Sequence, residues 1–257
     1  MLRFDNITKS FGGVTAVEQC SFEIPSAGIT GLIGPNGAGK TTAFNVIAGH
    51  LQPDSGRIIF DGHNVTQLPA WRRQAMGLSR TFQLPHEFGR LSVLDNLVVA
   101  AGNRDGEKLI NAIFFPDRGR SREHEARQQA LKTLEFLEID SLAGELAGNL
   151  SGGQKKLLEL GRALMQRPRL ILLDEIGAGV NRTLLGKIAE KILALNASEG
   201  YTFCLIEHDL DTVSRLCSNV HVMAQGRLLT SGSVEDVRND ERVIDVYFGG
   251  GKYQETA

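Results

Sequence analysis

Gly28-Ile-Thr-Gly-Leu-Ile33-Gly34-Pro35-Asn36-Gly37-Ala38-Gly39-Lys40-Thr41-Thr42 is the stretch that decides the fold. It opens as a short β-like run and passes into the pattern G-x-x-x-x-G-K-[ST]. Lys40 to about Ala48 then has helical character, with a stop at Gly49. A strand, a glycine-rich turn and a helix in that order suit a phosphate group. The glycines let successive backbone N–H groups curl round the oxygens, and the helix start adds the positive end of its dipole. Lys40 reaches the outer phosphates, and the Thr41 hydroxyl can ligate Mg²⁺. Chance would place the pattern in about one chain of this length in a hundred.

Outward from this loop, Leu2 to Phe4 and Cys20 to Ile24 read as short strands, with turn-rich Phe11-Gly12-Gly13 between them. Ile58-Ile59-Phe60 before Asp61-Gly62 reads as a strand and tight turn. Pro69 to Met76 suits a short helix with proline in its first turn. Beyond Gln83 the character turns helical. Ser92 can cap a helix with Asp95 three residues on, and Leu131, Leu134 and Leu137 recur at helix spacing on a segment starting near Ser121. A helix is expected from about Gly153 to Met165. Leu170 to Leu173 and Phe203 to Ile206 are continuously apolar, as parallel strands buried on both faces are. The reading is therefore one α/β domain over 1–257, its core (1–83 and 151–257) split around a helical lobe at 84–150.

Bulk composition adds exclusions. The chain has 257 residues, 42% of them hydrophobic and 23% charged, with a net charge of −2. That balance gives no electrostatic footprint for nucleic acid or an anionic membrane. Cys20, Cys204 and Cys217 share no metal-ligand spacing and sit among apolar neighbours, so buried free thiols are expected. No signal-peptide stretch is read at the N-terminus, and no run approaches the ~18 apolar residues of a membrane span.

Leu150-Ser151-Gly152-Gly153-Gln154 narrows the function. A hydroxyl and glycine N–H groups at a helix start form a second anion nest. Five such fixed residues coincide by chance on the order of a few times in ten thousand. With this motif the sequence resembles the ABC ATPase family over nearly its whole length. Asp174 and Glu175 after Leu170-Ile-Leu-Leu match its Walker B strand and following glutamate. Gln83 matches the Q-loop glutamine, His208 the switch histidine, and Gly177-Ala-Gly-Val-Asn181 the D-loop. Phe11 stands where the family keeps an aromatic for adenine.

The resemblance implies a P-loop NTPase, RecA-like core with an antiparallel β-subdomain and an inserted helical subdomain. It implies ATP held by Phe11, by Gly34 to Thr42 and, across a dimer, by the Ser151, Gly152, Gly153 and Gln154 of a second ABC ATPase subunit. Mg²⁺ falls to Thr41, Asp174 and Gln83, and catalysis to Glu175 as general base with His208 and Gln83. One departure stands out: the family commonly has proline after the glutamate, whereas Ile176 and Gly177 follow here. That loosens the D-loop.

Within the family, Gly77-Leu-Ser-Arg-Thr-Phe-Gln83, Ala178-Gly-Val-Asn181 and Val243-Ile-Asp-Val-Tyr-Phe-Gly249 are similar to the ATPases of branched-chain and other hydrophobic amino-acid importers. Lipopolysaccharide export and urea or amide uptake share much of the pattern. A soluble DNA- or ribosome-acting relative would carry coiled-coil insertions or two cassettes, and neither is present. The implied partners are transmembrane permease subunits and, indirectly, a substrate-binding protein, at the cytoplasmic face of the inner membrane. Leu84-Pro-His-Glu-Phe88, directly after Gln83, suits an amphipathic helix laid into a groove at the permease.

Overall fold

The computed structural model describes residues 1–81, 87–101 and 116–248. Two sheets form the frame. The smaller is antiparallel, with the order β2-β1-β4-β5. It comprises β1 (Leu2–Phe11), β2 (Val14–Ile24), β4 (Ser55–Phe60) and β5 (His63–Asn64). The larger runs β10-β9-β3-β8-β7-β6. Its members are β3 (Ile29–Ile33), β6 (Leu78–Arg80), β7 (Leu170–Asp174), β8 (Thr202–Ile206), β9 (Asn219–Ala224) and β10 (Arg227–Gly232). Only the β9–β10 pair in it is antiparallel.

The apolar runs explain why this sheet sits at the centre. Every residue of β3, β7 and β8 is buried, and successive side chains serve opposite faces. Leu32, Leu172, Cys204 and Ile206 pack with Phe44 and Ile47 of α1 (Lys40–Ala48) and with Phe4, Ile58 and Phe60 of the smaller sheet. Ile33, Ile171, Leu173, Phe203 and Leu205 belong to a second core on the other side. That core takes in Leu157 and Leu158 of α5 (Gly152–Leu164) and Ile188 and Ile192 of α6 (Arg182–Glu199).

Between β6 and β7 the chain leaves the sheet and returns. It forms α3 (Val93–Ala100), α4 (Pro116–Phe136), two short 3₁₀ turns and α5. Ser92 caps α3 by accepting from the Asp95 N–H. Leu97, Leu134 and Leu137 join the second core, so the lobe is packed onto the α/β part. A short α2 (Ala70–Ala75) precedes β6; α7 (Leu210–Leu216), α8 (Val234–Asn239) and α9 (Glu241–Phe248) complete the described elements. Among the described residues no helix is long and apolar enough to cross a membrane.

Several sequence expectations shift in detail. β1 does not stop at Phe4 but runs to Phe11, where it pairs with Val14. Gly12, at φ +57°, takes the left-handed position that the connecting turn requires. Helix α4 begins at Pro116 rather than near Ser121, using proline where its missing N–H costs nothing. Of the amphipathic helix expected over 84–88, Leu84 to His86 lie outside the described residues, and Glu87 and Phe88 have irregular backbone. All three cysteines are free and buried.

Candidate active site

The parallel strands β6, β7, β8, β3 and β9 end at one edge of the sheet, so the segments that follow them converge there. Carboxyl ends of parallel strands are where such sheets place ligands. After β3 comes the phosphate loop. Gly34 (φ +146°) and Gly39 (φ +97°) adopt backbone that favours glycine. A Cβ on Gly34 would land on the Met223 carbonyl of β9, and one on Gly39 on the Ala16 carbonyl. The loop is therefore held by close backbone approach on two sides. Gly39 is also the N-cap of α1 and offers no side-chain cap. The first-turn N–H groups of α1 thus lack an internal side-chain acceptor, as an anion cradle requires.

Lys40 is buried, and its ammonium donates to the Gly34 and Pro35 carbonyls at 2.8 and 2.9 Å. Burial pulls its pKa below the usual lysine range, opposed by the nearby Glu175 and Asp174 carboxylates. Thr41 is exposed and Thr42 half-buried in the first turn of α1.

After β7 come Asp174 and Glu175. The Asp174 carboxylate is 2% exposed and pairs with the Arg80 guanidinium at 2.8 Å. Arg80 ends β6 and donates its other terminal nitrogen to Asn45 Oδ1 of α1 at 2.6 Å. One arginine thus ties the ends of β6 and β7 to the middle of α1 around the Asp174 carboxylate. Arg80 and Asn45 received no role from sequence; the signal was only a cation at the end of a strand bound for the sheet's ligand edge. Glu175 adopts φ +49°. Its carboxylate lies 3.0 Å from His208 Nε2, beyond the end of β8. The structure therefore brings Glu175 and His208 together beside Asp174 and Lys40.

Between β8 and His208 stands Glu207, which is buried. It accepts from the Gly177 N–H at 2.9 Å and from the His208 N–H at 3.3 Å. Burial raises its carboxyl above the ordinary range, and the two N–H donors oppose that shift. The sequence did carry a signal here, a charged residue ending an apolar parallel strand, but no role was read from it. The D-loop is also less loose than the missing proline implied. Glu207 holds Gly177, Ala178 N–H donates to the Glu175 carbonyl at 3.2 Å, and Val180 N–H to the Gly177 carbonyl at 3.2 Å. Asn181 caps α6 through the Leu184 N–H.

The remaining sequence-derived residues lie apart. Phe11, at the end of β1, is 47% exposed with the Lys9 ammonium 5.5 Å from its ring centre. Ser151 caps α5 and is exposed with Gly152, whereas Gly153 is buried against Leu184. Among the described residues no hydrogen bond joins the turn at 151–154 to the phosphate loop at 34–42. Gln83 lies outside the described residues.

Among the described residues no cluster of three or more His, Cys, Asp and Glu side chains could form a metal cage. The available donors are a hydroxyl and a carboxylate. Oxygen donors of this kind, few in number, fit a hard cation that takes its other ligands from phosphate and water.

Comparison with known proteins gives the same frame. The family described as "ABC transporter" matches residues 17–178, and "Branched-chain amino acid ATP-binding cassette transporter" matches residues 227–253. The chain is 38% identical to the probable branched-chain amino acid transport ATP-binding protein LivG of Methanocaldococcus jannaschii, covering 97% of each. Against the protein of that name from Archaeoglobus fulgidus it is 36% identical, covering 97% of this chain and 95% of the relative. Pseudomonas aeruginosa BraF, a high-affinity branched-chain amino acid transport ATP-binding protein, is 34% identical over 97% of this chain and 98% of its own. Among solved structures, a nucleotide-free ATP-binding cassette from an ABC transporter superposes with a TM-score of 0.84 at 38% identity, covering 97% of this chain and 99% of that one. The ADP conformation of an ATP-binding cassette gives 0.83 at 36% identity, covering 97% and 98%.

Proposed function

This chain belongs to the ABC transporter family and is an ATPase of that family, and we propose that it powers uptake of branched-chain or other hydrophobic amino acids. The observation that carries the cargo class is the likeness, end to end, to proteins named for branched-chain amino acid transport. The separate match over 227–253 adds to it, because that segment lies beyond the nucleotide motifs. The domain division we propose keeps 1–83 and 151–257 as the α/β part and 84–150 as the helical subdomain.

In the chemistry we propose, the open N–H groups of the phosphate loop and the Lys40 ammonium receive the β and γ phosphates. Lys40 gives up the Gly34 and Pro35 carbonyls to do so. Glu175 accepts the proton of the attacking water while that water adds in line to the γ-phosphorus and ADP leaves. His208, within hydrogen-bond reach of Glu175, orients the carboxylate. Thr41 and Asp174, with Gln83, would hold Mg²⁺, which neutralises phosphate charge when bound. Asp174 would exchange part of its Arg80 contact for the ion. Phe11 offers an exposed ring for the adenine face.

The γ-phosphate's outer side stays open in one chain. A second ABC ATPase subunit closes it in our reading, with its residues at 151–154. The further partners are permease subunits and, through them, a substrate-binding protein, which places the chain at the cytoplasmic face of the membrane. A cleft of about 250 Å³ beside the end of β6 supports the permease contact. His50, Gln74, Glu159, Arg162 and Gln166 line it. Arg162 lies over the ring of Phe88, 5.2 Å from its centre, and that ring is half-exposed.

Reconstitution tests the proposal. The chain, co-expressed with candidate permease subunits, is placed in proteoliposomes with a binding protein loaded with leucine or with urea. Leucine should raise ATP turnover and accumulate inside, and urea should do neither. Stimulation by urea alone would overturn the cargo class, and failure of the chain to co-purify with any permease would overturn the transport role.

A further inference from the structure

The turn that carries Glu175 is conformationally expensive and has no covalent restraint. Glu175 is left-handed at φ +49°, which a residue with a Cβ keeps only when its surroundings hold it there. Ile176, Gly177 and Ala178 follow, none of which fixes the backbone. Its hydrogen bonds show what does the holding. The Glu175 N–H continues the β7–β8 pairing by donating to the Ile206 carbonyl at 3.0 Å. The Glu175 carbonyl accepts from Ala178 N–H within the turn.

Two side chains from other elements complete the grip. Lys156 of α5 donates its ammonium to the Glu175 carbonyl at 3.3 Å. Glu207, beyond β8, accepts from Gly177 N–H at 2.9 Å. A cation therefore holds the carbonyl end of the turn and a buried carboxylate holds the amide end. Charge-assisted bonds are the strong kind, and the burial of Glu207 keeps water from competing. The same Glu207 carboxylate accepts from the His208 N–H, so it fixes the two residues whose side chains meet, Glu175 through the turn and His208 directly.

From this geometry we infer that Lys156 and Glu207 are positioning residues for ATP hydrolysis, clamping the 175–177 turn so that Glu175 faces the attacking water. Neither side chain touches the nucleotide in this role; Lys156 acts through the Glu175 carbonyl, and Glu207 through the Gly177 and His208 N–H groups. The inference rests on Glu175 being the general base. It extends that reading to two residues that none of the recognised motifs contains.

The test uses steady-state ATPase kinetics, nucleotide titration and thermal melting on the full chain. Lys156→Met and Glu207→Ala should each lower kcat by about tenfold or more while KM for ATP and nucleotide affinity stay within about twofold, the signature of an interaction felt mainly in the transition state. Glu207→Gln should recover only part of the rate, because its one amide oxygen still accepts from Gly177 N–H while its NH2 cannot accept from His208 N–H. Glu207→Asp keeps the charge but withdraws it, and should remain slow. Lys156→Arg should be near normal. In a Glu175→Gln background the further loss from Lys156→Met or Glu207→Ala should be under about twofold, since residues acting as one unit are not additive.

Wild-type kcat in both Lys156→Met and Glu207→Ala would overturn the clamp. So would an undiminished further loss in the Glu175→Gln background, or a Glu207→Gln protein that melts normally yet is as slow as Glu207→Asp. Full turnover in Glu175→Gln alone would instead remove the base assignment itself, a separate failure. If Glu207→Ala does not fold, the Gln and Asp pair still decides the matter.

Discussion

Two helices begin in glycine-rich turns that the sequence marked as anion sites, and the structure builds their first turns differently. At α1 the N-cap is Gly39 and no side chain closes the first turn. Its orphan N–H groups point toward the ligand edge of the sheet, and the loop shape is set by contacts with Met223 and Ala16 that exclude any Cβ. At α5 the N-cap is Ser151 with a complete capping box. The Ser151 hydroxyl accepts from Gln154 N–H, and the Gln154 side chain accepts from Ser151 N–H at 2.9 Å. The phosphate loop is thus ready for an anion, whereas in the signature turn the Ser151 hydroxyl and the Ser151 and Gln154 N–H groups are already engaged by the capping box. The first can bind alone. The second must trade internal bonds for new ones, which suits a surface that meets its phosphate only when another subunit delivers it.

The largest expected effect separates chemistry from binding on the α1 side. Glu175→Gln should leave nucleotide affinity near wild type, because the cradle of α1 and Lys40 does not include it. Turnover should fall by roughly 10²–10⁴, the range for loss of a general base. Single-turnover and steady-state ATPase measurements, alongside a nucleotide titration, read the two quantities apart. Near-normal turnover in a clean preparation would show that the edge holding Asp174 and His208 does not place its base at Glu175.

A smaller effect lies at the other end of the nucleotide. Phe11 is half-exposed on the smaller sheet, and the Lys9 ammonium lies over it. Phe11→Ala should weaken ATP binding by about 1–3 kcal/mol, as loss of aromatic–base stacking does. Because stacking does not read base edges, ATP and GTP should weaken together. Isothermal titration with both nucleotides checks this, and unchanged affinity would make the exposed ring irrelevant to the site.

Much of this contrast was legible in the sequence, and the reasons are local. The apolar runs at 170–173 and 203–206 fall within β7 and β8, and Gly49 ends α1 in the left-handed region, because periodicity and glycine punctuation report on neighbouring residues. β1 was read too short because Thr8, Lys9 and Ser10 are polar, and it is pairing with β4 at Thr8 and with β2 at Lys9 and Ser10 that holds them in a strand. Within the site, motif order put Asp174, Glu175 and His208 at strand ends. It could not reveal that Arg80 occupies Asp174, or that Lys156 and Glu207 grip the turn. Those contacts join residues 94, 19 and 30 positions apart, and they depend on how α5 and the strands lie in space. Nor did the pattern S-G-G-Q distinguish an open nest from a capped one.

That last distinction yields the smallest and most discriminating measurement. If the Ser151 hydroxyl caps α5 in the resting chain, removing it costs stability without any nucleotide present. Ser151→Ala should destabilise the chain by about 1 kcal/mol, while Ser151→Gly should cost only a few tenths, since glycine tolerates the N-cap backbone and leaves the N–H groups to water. Part of the bonding survives in both variants: the Gln154 side chain accepts from the Ser151 backbone N–H, which every residue but proline supplies. That keeps the expected loss modest. Denaturant melts of the nucleotide-free chain, compared at equal m-values, resolve differences of this size. Equal stability of wild type and Ser151→Ala would mean that the cap is not held in solution. The signature turn would then be as open as the phosphate loop, and the contrast between the two helix starts would fall.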